Sequence, residues 1–291
     1  MHMSKLQSRP SSSATSSDDA SVVLHCGPGQ PMYHRSSASS SASKWPSLLP
    51  ESPLLHVRKP MATYGIEFPP VSYVVHFLGV AVIALTLGWV IAFRNGLNLF
   101  SSDADLVFNA HPVIQIGGFI FIYAEAILVY KTLSGDKKFK KLVHLIMQAI
   151  AFVFVLVGVW AAYRNHLMNN IDNFYSLHSW LGITTVILFF IQWVVGFTSF
   201  WTQSISASGR AAVLPWHVFF GLFIFVLATA TATTGYLEKI TFLNINAGLG
   251  HYASEVLYVN STALVLVLFG VVTILAAIIP APKEDGYQPI S

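Results

Sequence analysis

The sequence predicts an all-α integral membrane protein of six transmembrane helices, and three observations lead there. Of its 291 residues, 54% are hydrophobic and only 10% are charged, and the mean hydropathy is +0.60, a balance foreign to ordinary water-soluble domains. Six apolar stretches of 21 to 24 residues each match the ~20 residues that a helix needs to cross a ~30 Å hydrocarbon core. They are continuously apolar, unlike the ~10-residue alternating strands of a membrane barrel. The connections are short, so one membrane domain accounts for residues 61–291.

The first element is a tail. Residues 1–60 carry sixteen Ser with scattered Pro and Gly and no apolar periodicity, and they read as a disordered extension. The tail is acid-poor like an organelle leader but lacks an amphipathic Arg-bearing face, and Met61 is an alternative start. Cys26, the only cysteine, lies within it, so no internal disulfide can form. The spans then follow at 71–93, 112–133, 142–162, 178–200, 213–235 and 256–279. His76 in the first reads as an interfacial residue. The sequon Asn260-Ser261-Thr262 lies too close to span six to serve as a glycosylation site.

Charge flanking the spans sets the orientation. The loop after span two carries Lys131, Lys137, Lys138, Lys140 and Lys141 against Asp136, whereas the opposite loops hold only Arg94, Arg164 and Lys239. The positive-inside rule puts the lysine loop in the cytosol, and with six spans both termini as well, together with Arg58, Lys59, Arg210 and Lys283.

His111, His144, His178 and His217 stand near the starts of spans two to five. One His near a helix end is ordinarily an interfacial side chain. Four on consecutive antiparallel helices segregate by face, so His111 can meet His178 and His144 can meet His217. Gly182 and Gly221 follow their histidines by four residues, and Gly118 and Ala151 by seven, which leaves room for a flat ligand. Zinc or manganese transport would call for carboxylates along a path, and Glu125 is the only acid inside the predicted spans. Two imidazoles per site suit the axial positions of an iron porphyrin. An iron with both axial positions filled passes single electrons, and the two irons would lie ~20 Å apart. The competing reading is a non-redox membrane transporter or metal carrier using the same histidines.

The motifs Ser176-Leu177-His178-Ser179-Trp180-Leu181-Gly182, Ala124-Glu125 through Tyr130-Lys131, and Asn109-Ala110-His111-Pro112 resemble the cytochrome b561 family, plant members above all, over residues 61–291. The resemblance implies a central four-helix bundle holding two haem b groups, flanked by the first and last helices. It also implies a homodimer in a vacuolar, other endomembrane or plasma membrane. Its activity would be that of a transmembrane ascorbate-dependent oxidoreductase, a ferrireductase or monodehydroascorbate reductase. Cytosolic ascorbate would donate, and monodehydroascorbate or a ferric chelate would accept on the other side; no nucleic acid partner is expected. His144 and His217 would hold the cytosolic haem, and His111 and His178 the opposite one. Lys137, Lys141 and Arg210 fall at positions for cytosolic ascorbate, while topology alone also explains their charge. Lys131 replaces an arginine frequent in that motif. His166 and Tyr175 match positions for the second substrate, and His166 has proton-handling chemistry. Glu125, fourteen residues beyond His111, should return to nearly the same helical face ~21 Å deeper, to handle protons or form an interhelix bond.

Overall fold

A computed structural model describes residues 68–280, all within the unit Pro60–Ser291. The expectations for the Ser-rich extension, Cys26, Arg58, Lys59, Met61 and Lys283 lie outside the described residues.

Among the described residues, six helices are long and apolar enough to cross a membrane. They are α1 (Phe68–Arg94), α2 (Ala104–Thr132), α3 (Lys137–Asn169), α4 (Leu177–Trp201), α5 (Ala207–Ile245) and α6 (Ser254–Ile278). The chain is a multi-pass membrane protein. Short polar side chains start four of the helices. Asp103, Asp136, Ser176 and Ser206 accept backbone N–H groups at the first turns of α2 to α5, and Ser176 forms a reciprocal capping box with Ser179.

The helices outrun the predicted spans because hydropathy reports only the part inside hydrocarbon. The 39 residues of α5 extend ~58 Å, well past a ~30 Å core. α3 continues through His166 and stops where Asn170 turns left-handed at φ 52°, with the Asn170 and Ile171 amides donating to the His166 carbonyl. His166 and Lys239, expected in loops, therefore belong to helices. Glu238 and Glu255 also fall within helices, so Glu125 is not the sole acid there.

α2 to α5 form the central bundle, and α1 and α6 pack on each other and against α2 and α5. At the face opposite the lysine loop, Arg94 pairs with the buried Glu255, which also accepts from Trp89 Nε1 at 2.9 Å. This network ties α1 to α6. At the lysine face, the Lys131 ammonium donates to the carbonyls of Ala276, Ala277 and Ile279 and so caps the C-terminus of α6. Between the two faces an aromatic layer fills the bundle: Tyr123 packs on Phe119, Phe189 and Phe225 and donates to the Gly221 carbonyl at 2.7 Å.

Candidate functional site

The four singled-out histidines meet in the two predicted pairs. The ring centroids of His111 and His178 lie 6.0 Å apart and those of His144 and His217 lie 6.4 Å apart. One iron between two imidazole nitrogens, each bond ~2 Å, would set the ring centres ~6 Å apart, so both pairs fit a haem iron held axially. No group of three or more His, Cys, Asp or Glu that could hold a metal ion occurs among the described residues, so each donor set is two imidazoles.

Three of the four rings are oriented by a backbone carbonyl. Because a carbonyl only accepts, Nδ1 carries the proton and Nε2 is left for a metal. His111 donates to Gly158 at 2.8 Å, His144 to Ala126 at 2.7 Å and His178 to Thr231 at 2.8 Å. His217 differs: the Gln192 side-chain amide lies 3.1 Å from its Nδ1 and donates to its own carbonyl at 2.6 Å.

A common register underlies this. His144 precedes Gly158 by fourteen residues, His178 precedes Gln192 by fourteen, and His217 precedes Thr231 by fourteen. Each helix thus supplies a ligand to one pair and a support to the other, and the pairs stand ~21 Å apart along the helix axes. α2 departs by one residue, with fifteen from His111 to Ala126. Its segment Ile114–Phe121, just past Pro112, is π-helical, which takes up one extra residue. That extra residue corrects the reading of Glu125. The face expected for it is occupied by Ala126, and Glu125 turns towards α1, where its carboxylate meets His76 Nδ1 at 2.8 Å. Its depth, level with the His144 pair, and its interhelix bond are as expected; the helical face it occupies is not.

The small residues that admit the rings are also not all those expected. A Cβ added at Gly235 would stand 2.8 Å from His178 Cε1, and one at Gly196 would stand 2.8 Å from His217 Cε1. Gly118 faces Phe154 instead, and Gly221 faces Gln192. Gly182 does line the cavity beside His178. Gly235 comes from the far end of α5 and Gly196 from the far end of α4, which sequence proximity to a histidine could not reveal. The fourteen-residue register was the available signal.

Beside His111 and His178 opens a cavity of ≈ 320 Å³. His166, Tyr175, Ser176, Glu238 and Lys239 line its outer part. The His166 ring stacks on Tyr175 at 6.3 Å and hydrogen-bonds Asn173 at 3.1 Å, so the two predicted residues come together. Burial and then the neighbouring Glu238 carboxylate push the Tyr175 phenol above its usual range, which keeps it a neutral donor. At the lysine face, Lys141 Nζ donates to the Phe200 carbonyl at 3.0 Å, and Arg210 donates to the Ile205 carbonyl at 2.7 Å. Both hold the α4–α5 connection, and Lys137 stands exposed at the first turn of α3.

Fold and site define a multi-pass membrane protein with two pairs of facing histidines, one towards each face of its bundle. Residues 110–243 match the family described as eukaryotic cytochrome b561. The chain is 47% identical over 225 residues to a probable ascorbate-specific transmembrane electron transporter 1 of Oryza sativa subsp. japonica, covering 77% of this chain and 96% of the relative. It is 44% identical over 216 residues to transmembrane ascorbate ferrireductase 2 of Arabidopsis thaliana, covering 74% and 94%. A plasma membrane ascorbate-dependent reductase of Xenopus laevis is 37% identical over 226 residues, covering 76% and 78%. The chain belongs to the cytochrome b561 family.

Proposed function

We propose that this protein is an oxidoreductase that moves electrons from cytosolic ascorbate across the membrane to monodehydroascorbate or a ferric chelate. The observation that carries the reading is the pair of facing imidazoles near each end of the bundle, 6.0 and 6.4 Å apart between ring centres. The names of the relatives, ascorbate-specific electron transporters and ascorbate ferrireductases, support the donor. His144 and His217 would hold one haem b, and His111 and His178 a second. When bound, each group would supply a one-electron iron centre.

The chain's own residues do the rest. On the cytosolic face, as the lysine-rich loop suggests, Lys137, Lys141 and Arg210 raise the local concentration of an anionic donor. At the other face, His166 exchanges a proton with the second substrate while Tyr175 stacks on its ring and donates a hydrogen bond. The apolar layer around Tyr123 and Phe189 keeps the interval between the pairs dry. Both termini are then cytosolic, the host is an endomembrane or the plasma membrane, residues 1–60 lie outside the electron-transfer domain, and the working unit is a homodimer.

The test is spectroscopic and then vectorial. Purified protein should show a reduced-minus-oxidised b-type spectrum with about two haems per chain, and His217→Leu should lose one and slow reduction by ascorbate. Vesicles with ascorbate sealed inside and monodehydroascorbate or ferric chelate outside identify the acceptor, and light scattering of the detergent-solubilised protein checks the dimer. Colourless protein that binds a metal ion without haem would establish the carrier reading instead.

A further inference from the structure

Lys239, counted above only for its charge in setting the orientation, has no role in the proposed electron transfer. It follows Thr231 and Gly235 at successive four-residue steps, so all three share one stripe of α5. Thr231 accepts from His178, Gly235 abuts the His178 ring, and Lys239 lies ~6 Å further outwards, one turn beyond. α3 carries the matching stripe. Gly158 accepts from His111, Ala162 lines the same cavity four residues on, and His166 comes four residues later. Two helices thus present a polar nitrogen side chain at equivalent heights above the His111 and His178 pair.

The surroundings of Lys239 hold its ammonium without neutralising it. Nζ sits 5.7 Å over the Trp89 ring and 5.7 Å over the Phe108 ring, and Phe108 in turn stacks on His111 at 5.8 Å. Aromatic faces stabilise a cation but leave its hydrogen-bond donors free. The carboxylates that act on it from a distance are Glu255, already bound by Arg94 and Trp89, and Asp105 at the first turn of α2, while Glu238 accepts from Ser176 at 3.1 Å. Among the described residues Lys239 makes no ion pair and no hydrogen bond, yet it is half-buried on the cavity wall, in the polar outer part that it shares with His166, Tyr175, Ser176 and Glu238. A half-buried ammonium with three free donors calls for an anionic partner.

We propose that Lys239 is the anion receptor of this cavity, placed to take an anionic oxygen one turn beyond the His111 and His178 pair. The inference rests on the haem reading. Its ligand chemistry has two sources: a propionate of a haem held by the pair, or a monoanionic acceptor entering from solvent.

The experiment compares the full chain with Lys239→Met and Lys239→Arg. Haem content and midpoint potentials are measured on purified protein, and acceptor kinetics in vesicles with ascorbate inside and either ferricyanide or hexaammineruthenium(III) outside. If the source is the acceptor, Lys239→Met raises KM for ferricyanide about tenfold, the low end for a charge-assisted hydrogen bond, and spares the cationic probe and both potentials. If the source is a propionate, Lys239→Met lowers one potential or the haem content, and both probes slow together. Lys239→Arg restores wild-type behaviour in either case. Lys239→Met with wild-type haem content, potentials and preference between the two probes overturns the proposal. Wild-type chain without haem would overturn the underlying reading, a separate result read before any variant is made.

Discussion

Gly235→Ala is the sharpest probe of the histidine pairs. The added methyl would lie 2.8 Å from His178 Cε1 and 3.0 Å from its Nδ1, whereas ordinary contact begins at 3.4 Å, so the ring must retreat by 3.4 − 2.8 = 0.6 Å. An unligated ring could swing away. A ring held between an iron and the Thr231 carbonyl at 2.8 Å cannot, because both bonds are short and directional. Disturbing such support typically weakens metal binding ~10- to 100-fold. Alanine is itself a better helix former than glycine by ~1 kcal/mol, so the helix is not the casualty. The haem-to-protein ratio should fall from about two towards one, with loss of the signal belonging to the His111 and His178 pair. Gly196→Ala should do the converse, since its methyl would stand 2.8 Å from His217 Cε1. Gly117→Ala, whose nearest neighbour would be Ile83 at 3.8 Å, should keep both. Measured by pyridine haemochrome assay and redox titration, equal haem content in all three variants would refute the reasoning.

Three further outcomes are expected. Lys137→Gln should raise KM for ascorbate two- to threefold at low salt, roughly the worth of one exposed charge, and blunt its salt dependence. Lys141→Gln should add a structural effect by freeing the Phe200 carbonyl, so Lys137 is the cleaner test. Glu125→Leu should lower thermal stability by ~1 kcal/mol through loss of the His76 contact, with both haems retained; loss of a haem would instead tie Glu125 to the His144 pair. Because burial and Glu238 raise the Tyr175 pKa, the protonated phenol persists throughout the neutral range, and Tyr175→Phe should slow transfer to the outer acceptor equally at pH 6 and pH 8. A defect confined to one of those pH values would count against the donor role.

The spans, their number and the pairing of His111 with His178 and His144 with His217 were legible because they depend on one-dimensional quantities. Apolar run length is matched to bilayer thickness, and helix direction alternates at every crossing. Glu125 shows where such arithmetic fails. Fourteen residues of regular α-helix would have brought it back to the His111 face, but the π-helical Ile114–Phe121 adds one residue and hands that face to Ala126. His166 and Lys239 were misplaced for another reason: the hydropathy signal ends at the edge of the hydrocarbon, and the helices do not.

Composition and spacing, then, establish a six-helix membrane protein and name the four histidines, since both follow from local patterns read against a slab of known thickness. Which carbonyl orients each ring, which glycine makes room for it, that Gln192 supports His217, and that Lys239 overlooks the cavity all depend on contacts between helices. Those contacts are set by helix rotation and by one extra residue in α2. A rotation of ~100° per residue moves a side chain to a different neighbour without leaving any trace in hydropathy.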